Sequence, residues 1–101
     1  MYIYNVTIKV THAIAADWLR WLRQEHIPEM IATGCFDKAT LLQLVENTDE
    51  EGLTYAVQYR AVHRVDYDQY VAEFAPQMRQ KGLDKWGDNF IAFRTLMEIV
   101  D

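Results

Sequence analysis

The chain has 101 residues, half of them hydrophobic and a quarter charged. At this length folding buries roughly 60–70% of the surface the unfolded chain exposes, so one domain over residues 1–101 is expected, with a core that needs no staples. Fifteen acidic residues against ten basic ones give a net charge of −5, and an acidic chain without a basic run argues against a nucleic-acid partner.

The lone cysteine, Cys35, excludes an internal disulfide framework and a cysteine-rich zinc site, and suits a reducing compartment. The first ten residues, Met1 to Val10, hold no basic segment followed by an apolar stretch, so no secretory signal is expected. No apolar run approaches the ~20 residues of a membrane span. A cytoplasmic protein without a membrane partner is the expectation.

Residues 2–10 alternate with period two. Tyr2, Tyr4, Val6, Ile8 and Val10 share one face, and Ile3, Asn5, Thr7 and Lys9 share the other, which predicts a half-buried strand. From Ala13 to Thr33 the period changes to that of a helix. Ile14, Trp18, Trp21, Leu22 and Met30 gather on one side, with Arg20, Arg23 and Gln24 mostly opposite. Pro28 removes a backbone donor and disfavours helical dihedrals at Ile27, so the helix should kink or restart near His26–Pro28. Gly34 fits a cap just past its end.

Two apolar runs follow, 36–46 and 53–61, joined by the acidic stretch Asn47 to Gly52 that reads as a solvated hairpin connection. In the second run Leu53, Tyr55, Val57, Tyr59 and Ala61 alternate with Thr54, Ala56, Gln58 and Arg60. A second helix is predicted from about Asp66, which with Gln69 fits a variant capping box. Tyr67, Tyr70, Val71, Phe74 and Met78 give its apolar spacing, and Pro76 and Gly82 make its second half irregular. It ends at Trp86-Gly87-Asp88. Residues 89–100 predict a last strand, with Ile91, Phe93, Thr95, Met97 and Ile99 on one face and Phe90, Ala92, Arg94, Leu96, Glu98 and Val100 on the other. Phe93 and Met97 are expected beneath the helices, Arg94 on the opposite face.

Strand, helix, strand, strand, helix, strand is the split βαβ pattern of an α+β ferredoxin-like sandwich. Right-handed crossovers place both helices on one sheet face. A four-stranded antiparallel sheet of order 4-1-3-2 is expected.

Several segments carry a family resemblance: Ile3 to Thr7, Trp18-Leu19, Glu25-His26-Ile27-Pro28-Glu29-Met30, Ala32-Thr33-Gly34, Thr54 to Tyr59 and Ala92-Phe93-Arg94-Thr95. Together they resemble a bacterial family classified only as a domain of unknown function, over nearly the whole chain. The layout is similar to the dimeric α/β-barrel superfamily, which includes cofactor-free monooxygenases of antibiotic biosynthesis, haem-degrading enzymes, lactone isomerases and ligand-sensing domains. The resemblance implies a homodimer. It carries over no catalytic residue, and function from fold alone is analogy.

Within Glu25-His26-Ile27-Pro28-Glu29, the helical phase puts Glu25 and Glu29 near the apolar side and His26 at its edge. An ionisable group turned toward a sheet is costly unless paired, and such a group is a candidate acid, base or ligand contact. The bland reading is a helix break at Pro28 with His26 bonded to a freed carbonyl. Trp18 and Trp21, with Tyr4, Tyr55, Tyr59, Phe74 and Phe93, line either an apolar ligand pocket or a packed aromatic core. A cavity of at least ~300 Å³ beneath the two tryptophans would separate those readings.

The second sheet face, with Asn5, Thr7, Gln58 and Arg94 around Ala56, Ala92 and Leu96, is expected to meet the same face of a second chain. His12, His26 and His63 follow no metal-ligand spacing, and no glycine-rich phosphate loop is present, so neither a metal nor a cofactor is expected. The functional expectation is a small homodimeric binding or accessory protein for an apolar or aromatic small molecule or a protein partner. The alternative is a cofactor-independent enzyme of monooxygenase or isomerase type.

Overall fold

The computed structural model describes residues 1–46 and 51–101. The elements in chain order are β1 (Tyr2–Thr11), α1 (Ala15–Trp21), a π-helical turn (Leu22–His26), α2 (Ile27–Ala32), β2 (Lys38–Gln43), β3 (Gly52–Ala61), α3 (Arg64–Glu73), α4 (Ala75–Trp86) and β4 (Phe90–Glu98). The four strands form one antiparallel sheet of order β2-β3-β1-β4, which is the expected 4-1-3-2 read from the other edge. Most of the acidic connection expected between β2 and β3 lies outside the described residues.

Alternation decides which face of β1 and β3 is covered. Tyr4, Ile8, Val10, Tyr55, Val57, Tyr59 and Ala61 are buried under the helices. Asn5, Thr7 and Gln58 lie on the opposite face, since directly opposed residues share a face and Asn5 pairs with Gln58. Tyr4 forms the centre of an aromatic cluster, with ring centroids 5.8 Å from Phe36, 6.1 Å from Tyr59 and 5.5 Å from Tyr70.

In β4 the expected faces are exchanged. Val6 opposes Arg94, Ile8 opposes Ala92 and Tyr4 opposes Leu96, so Phe90, Ala92, Arg94 and Leu96 face the helices. Phe93, at 67% exposure, Ile91 and Met97 occupy the open face. Both faces of this strand are apolar, so its alternation does not choose between them. The register is pinned at its start instead. Thr11 N–H donates to the Asn89 carbonyl at 3.0 Å, and the Thr11 hydroxyl bonds the Asn89 side-chain oxygen at 3.2 Å. A slip of one residue would invert the strand.

The first helix departs from α geometry just before Pro28. The Ile27 N–H donates to the Leu22 carbonyl, five residues back. A proline ring collides with the carbonyl four residues earlier, here that of Gln24. The wider π turn absorbs one extra residue and gives that carbonyl room. Pro28 then sits in the first turn of α2, where its missing donor costs least. Gly34, with φ of 79°, follows the end of α2 and takes a left-handed conformation that an L side chain would strain.

The second helical segment is two helices. It starts earlier than expected, at Arg64, and the reciprocal box is formed by His63 and Asp66, not by Asp66 and Gln69. The His63 N–H donates to the Asp66 carboxylate at 3.2 Å. The chain breaks at Phe74, and Pro76 lies in the first turn of α4, which runs unbroken past Gly82.

Candidate ligand site

The π turn, α4 and the helix-facing side of β1, β3 and β4 border a half-open pocket of ≈ 60 Å³. A water needs roughly 10–15 Å³ measured this way, so the cavity takes a few waters or one small molecule. It is well below the ~300 Å³ expected of a roomy pocket beneath the tryptophans, so by that measure these rings are chiefly packed core and the space left among them admits only a small guest. Trp18, Trp21, Leu22, Met30, Met78 and Phe90 supply apolar walls, and Tyr4, Tyr59 and Tyr70 line the pocket as well. Burial pushes the phenols of Tyr59 and Tyr70 up, with neighbouring tyrosines adding to the shift, so both remain neutral donors.

His26 lines this pocket. Its ring stacks on Trp21 with centroids 4.7 Å apart, and Trp21 meets Trp86 edge-on at 5.9 Å. The π turn decides this placement, because its extra residue rotates His26 inward from the edge of the helical stripe. Burial pushes the imidazole down to about 4; Glu29 opposes the shift, and Lys81 and Arg94 add to it. His26 Nδ1 is buried without a hydrogen-bond partner, and so is Trp86 Nε1. An orphaned buried polar atom costs about 1–3 kcal/mol. Here two of them flank the same tryptophan. The backbone bond that a purely structural His26 would make is absent at Nδ1.

The other expected site residues divide. Trp18, Trp21 and Tyr59 come together with His26 as pocket walls. Tyr55 is buried against Trp18, ring centroids 5.4 Å apart, and belongs to the packed core. Phe93 lies on the other side of the sheet and lines nothing in this pocket. Glu25 is exposed and lines a separate, open groove with Asp17, Arg20, Gln24 and Lys85, which shares Trp21 and Trp86 with the pocket. Glu29 turns outward to pair with Lys81 at 2.7 Å.

Among the residues expected to form the dimer face, Asn5, Thr7 and Gln58 form a polar strip. Asn5 donates to the Thr7 hydroxyl at 2.9 Å and accepts from Gln58 at 3.4 Å. Arg94 is not with them. It reaches the pocket from the helix side, together with Arg79 of α4, whose guanidinium donates to the Tyr4 hydroxyl at 3.4 Å. Arg79, Arg94 and Trp86 are the site residues the sequence reading missed. Their convergence depends on how α4 docks and on the register of β4, and neither has a local signal.

Among the described residues no cluster of three or more His, Cys, Asp or Glu could hold a metal ion. Cys35 is buried beside Thr33. No helix is long and apolar enough to cross a membrane.

A family model described as Domain of unknown function (DUF4286) matches residues 1–100. No curated protein matches the sequence. Among solved structures, a dimeric ferredoxin-like protein from an uncultured marine organism superposes with a TM-score of 0.69 at 11% identity, covering 100% of this chain and 96% of that one. An ethyl tert-butyl ether D (EthD) family protein from Bacillus halodurans gives 0.68 at 7% identity, covering 99% and 100%. SnoaB, a cofactor-independent oxygenase from Streptomyces nogalater, gives 0.63 at 11% identity, covering 99% and 94%. At these identities the likeness is one of fold.

Proposed function

The chain belongs to the DUF4286 family, and from that premise we propose that it is a single-domain, cytoplasmic, homodimeric protein that binds a small aromatic molecule in the pocket beside the π turn. The observation that carries this is a cavity lined by Trp18, Trp21, Phe90 and three tyrosines together with His26 and Trp86, two residues that each bury a polar atom without a partner. Folded chains rarely leave such groups unpaired, and a bound partner is one way to satisfy them. The aromatic walls favour a flat guest over a bulky one.

Binding is preferred to catalysis on pKa grounds. A general base works best with a pKa near the operating pH. The only imidazole in the pocket is held near 4, and no carboxylate lines the cavity among the described residues.

The pairing of two copies is supported by the open sheet face. Ile91 at 58% exposure and Phe93 at 67% stand beside Met97 on one strand, next to the Asn5–Gln58 polar strip. Apolar residues contiguous on a face are a common mark of an interface, and a two-fold would oppose this strip to itself. One structural neighbour is itself described as dimeric.

The test is titration of a panel of small aromatics (phenol, indole, benzamide, benzoate) against the tryptophan fluorescence of the full chain. Quenching that saturates for at least one of them, and that is lost in His26→Ala, is expected. No saturable change with any member up to millimolar concentration would refute the reading. Light scattering at micromolar concentration should give twice the mass of one chain.

A further inference from the structure

The charge lining the pocket is out of keeping with the chain that carries it. The protein has a net charge of −5, yet among the described residues the formally charged side chains in the pocket wall are Arg79 and Arg94. Of the four other arginines, exposed Arg23 makes no ion pair among the described residues, and the remaining three follow the ordinary pattern. Arg20, Arg60 and Arg64 each pair with an aspartate at 2.8 to 3.2 Å. Among the described residues Arg79 donates to the Tyr4 hydroxyl, and neither it nor Arg94 pairs with a carboxylate. Lys81, one turn from the pocket on α4, is already held by Glu29.

The placement of Arg94 adds weight. β4 could have turned Phe93 toward the helices, and the pinned register turns an arginine there instead. Both guanidiniums are solvent-exposed where they border the cavity, and a guanidinium there can bond a planar anion with two N–H groups.

We infer that the ligand is a small aromatic carboxylate, its ring among Trp21, Tyr70 and Phe90 and its carboxylate held by Arg94 with Arg79. This rests on the pocket reading above and adds the charge of the guest.

The probes are phenylacetate and its neutral isostere phenylacetamide, titrated by calorimetry into the full chain, into Arg94→Gln, into Arg79→Gln and into a control, Arg64→Gln, at the start of α3 and outside the pocket lining. The expected result has three parts. Wild type prefers the acid over the amide at least ten-fold. Arg94→Gln brings that preference close to one. Arg64→Gln keeps it. Raising the salt concentration should weaken the acid and leave the amide nearly unchanged. If wild type binds the amide as well as the acid or better, the inference falls while the pocket stands. If the acid is preferred but neither Arg94→Gln nor Arg79→Gln alters the preference, the arginines are not the anion site and the inference falls. If neither probe nor any member of the aromatic panel binds, the pocket reading itself fails. Arg94 is exposed on the sheet, so its variant should keep the wild-type circular dichroism spectrum; Arg94→Lys, which retains the charge, should recover part of the preference and covers the case in which it does not.

Discussion

Protonation of His26 should make folding stability fall with acid in a window that the structure specifies. In the unfolded chain the imidazole takes a proton near pH 6.5; in the fold, burial against Trp21 holds it neutral down to about 4. Between those values the unfolded state binds more protons than the native one. Stability therefore rises with pH through the window and is lost on acidification. From pH 7.5 to pH 5 the linkage relation gives a loss of about 2 kcal/mol from this group, growing to about 3 kcal/mol below pH 4. Carboxylates titrate in the lower part of the range, so the comparison must be a difference of differences. Urea unfolding of wild type and His26→Phe at pH 7.5 and pH 5 supplies it. Phenylalanine keeps a ring against Trp21 and removes the titrating nitrogen, and any repacking cost it brings is the same at both pH values. Wild type should lose about 2 kcal/mol more than the variant between the two. A difference below about 0.5 kcal/mol would show that His26 is solvated or partnered in the fold, and the account of an orphaned imidazole would be wrong.

Val57, fully buried at the middle of β3, should cost about 2–3 kcal/mol when replaced by alanine, read as a lower urea midpoint with unchanged slope. Gly52 faces the Val10 carbonyl so closely that a Cβ cannot be fitted without moving backbone, so Gly52→Ala should destabilise by about 2 kcal/mol or more, and a neutral melt would refute the packing of β3 on β1 there. Phe93→Lys, on the open face, should halve the mass found by light scattering and leave the circular dichroism spectrum unchanged. A variant that stays paired would place the interface elsewhere.

The sequence by itself determined the order of elements, the sheet topology and the covered faces of β1 and β3. Each of those strands is apolar on one side and polar on the other, so period two has one energetically acceptable phase. The break near Pro28 was equally legible, since a missing donor and a ring clash act within one turn. Tertiary structure decided the rest. β4 is apolar on both faces, with Ala92 and Leu96 against Phe93 and Met97, so burial energy hardly distinguishes its two phases. The Thr11–Asn89 hydrogen bonds chose one, and with it sent Arg94 to the pocket and Phe93 to the open face. The form of the Pro28 break was not local either. A kink and a π turn both relieve the same clash, and only the π turn carries His26 inward to stack on Trp21. Arg79 and Trp86 reach the pocket because α4 packs across it, a contact made between residues more than fifty positions apart that no local periodicity encodes.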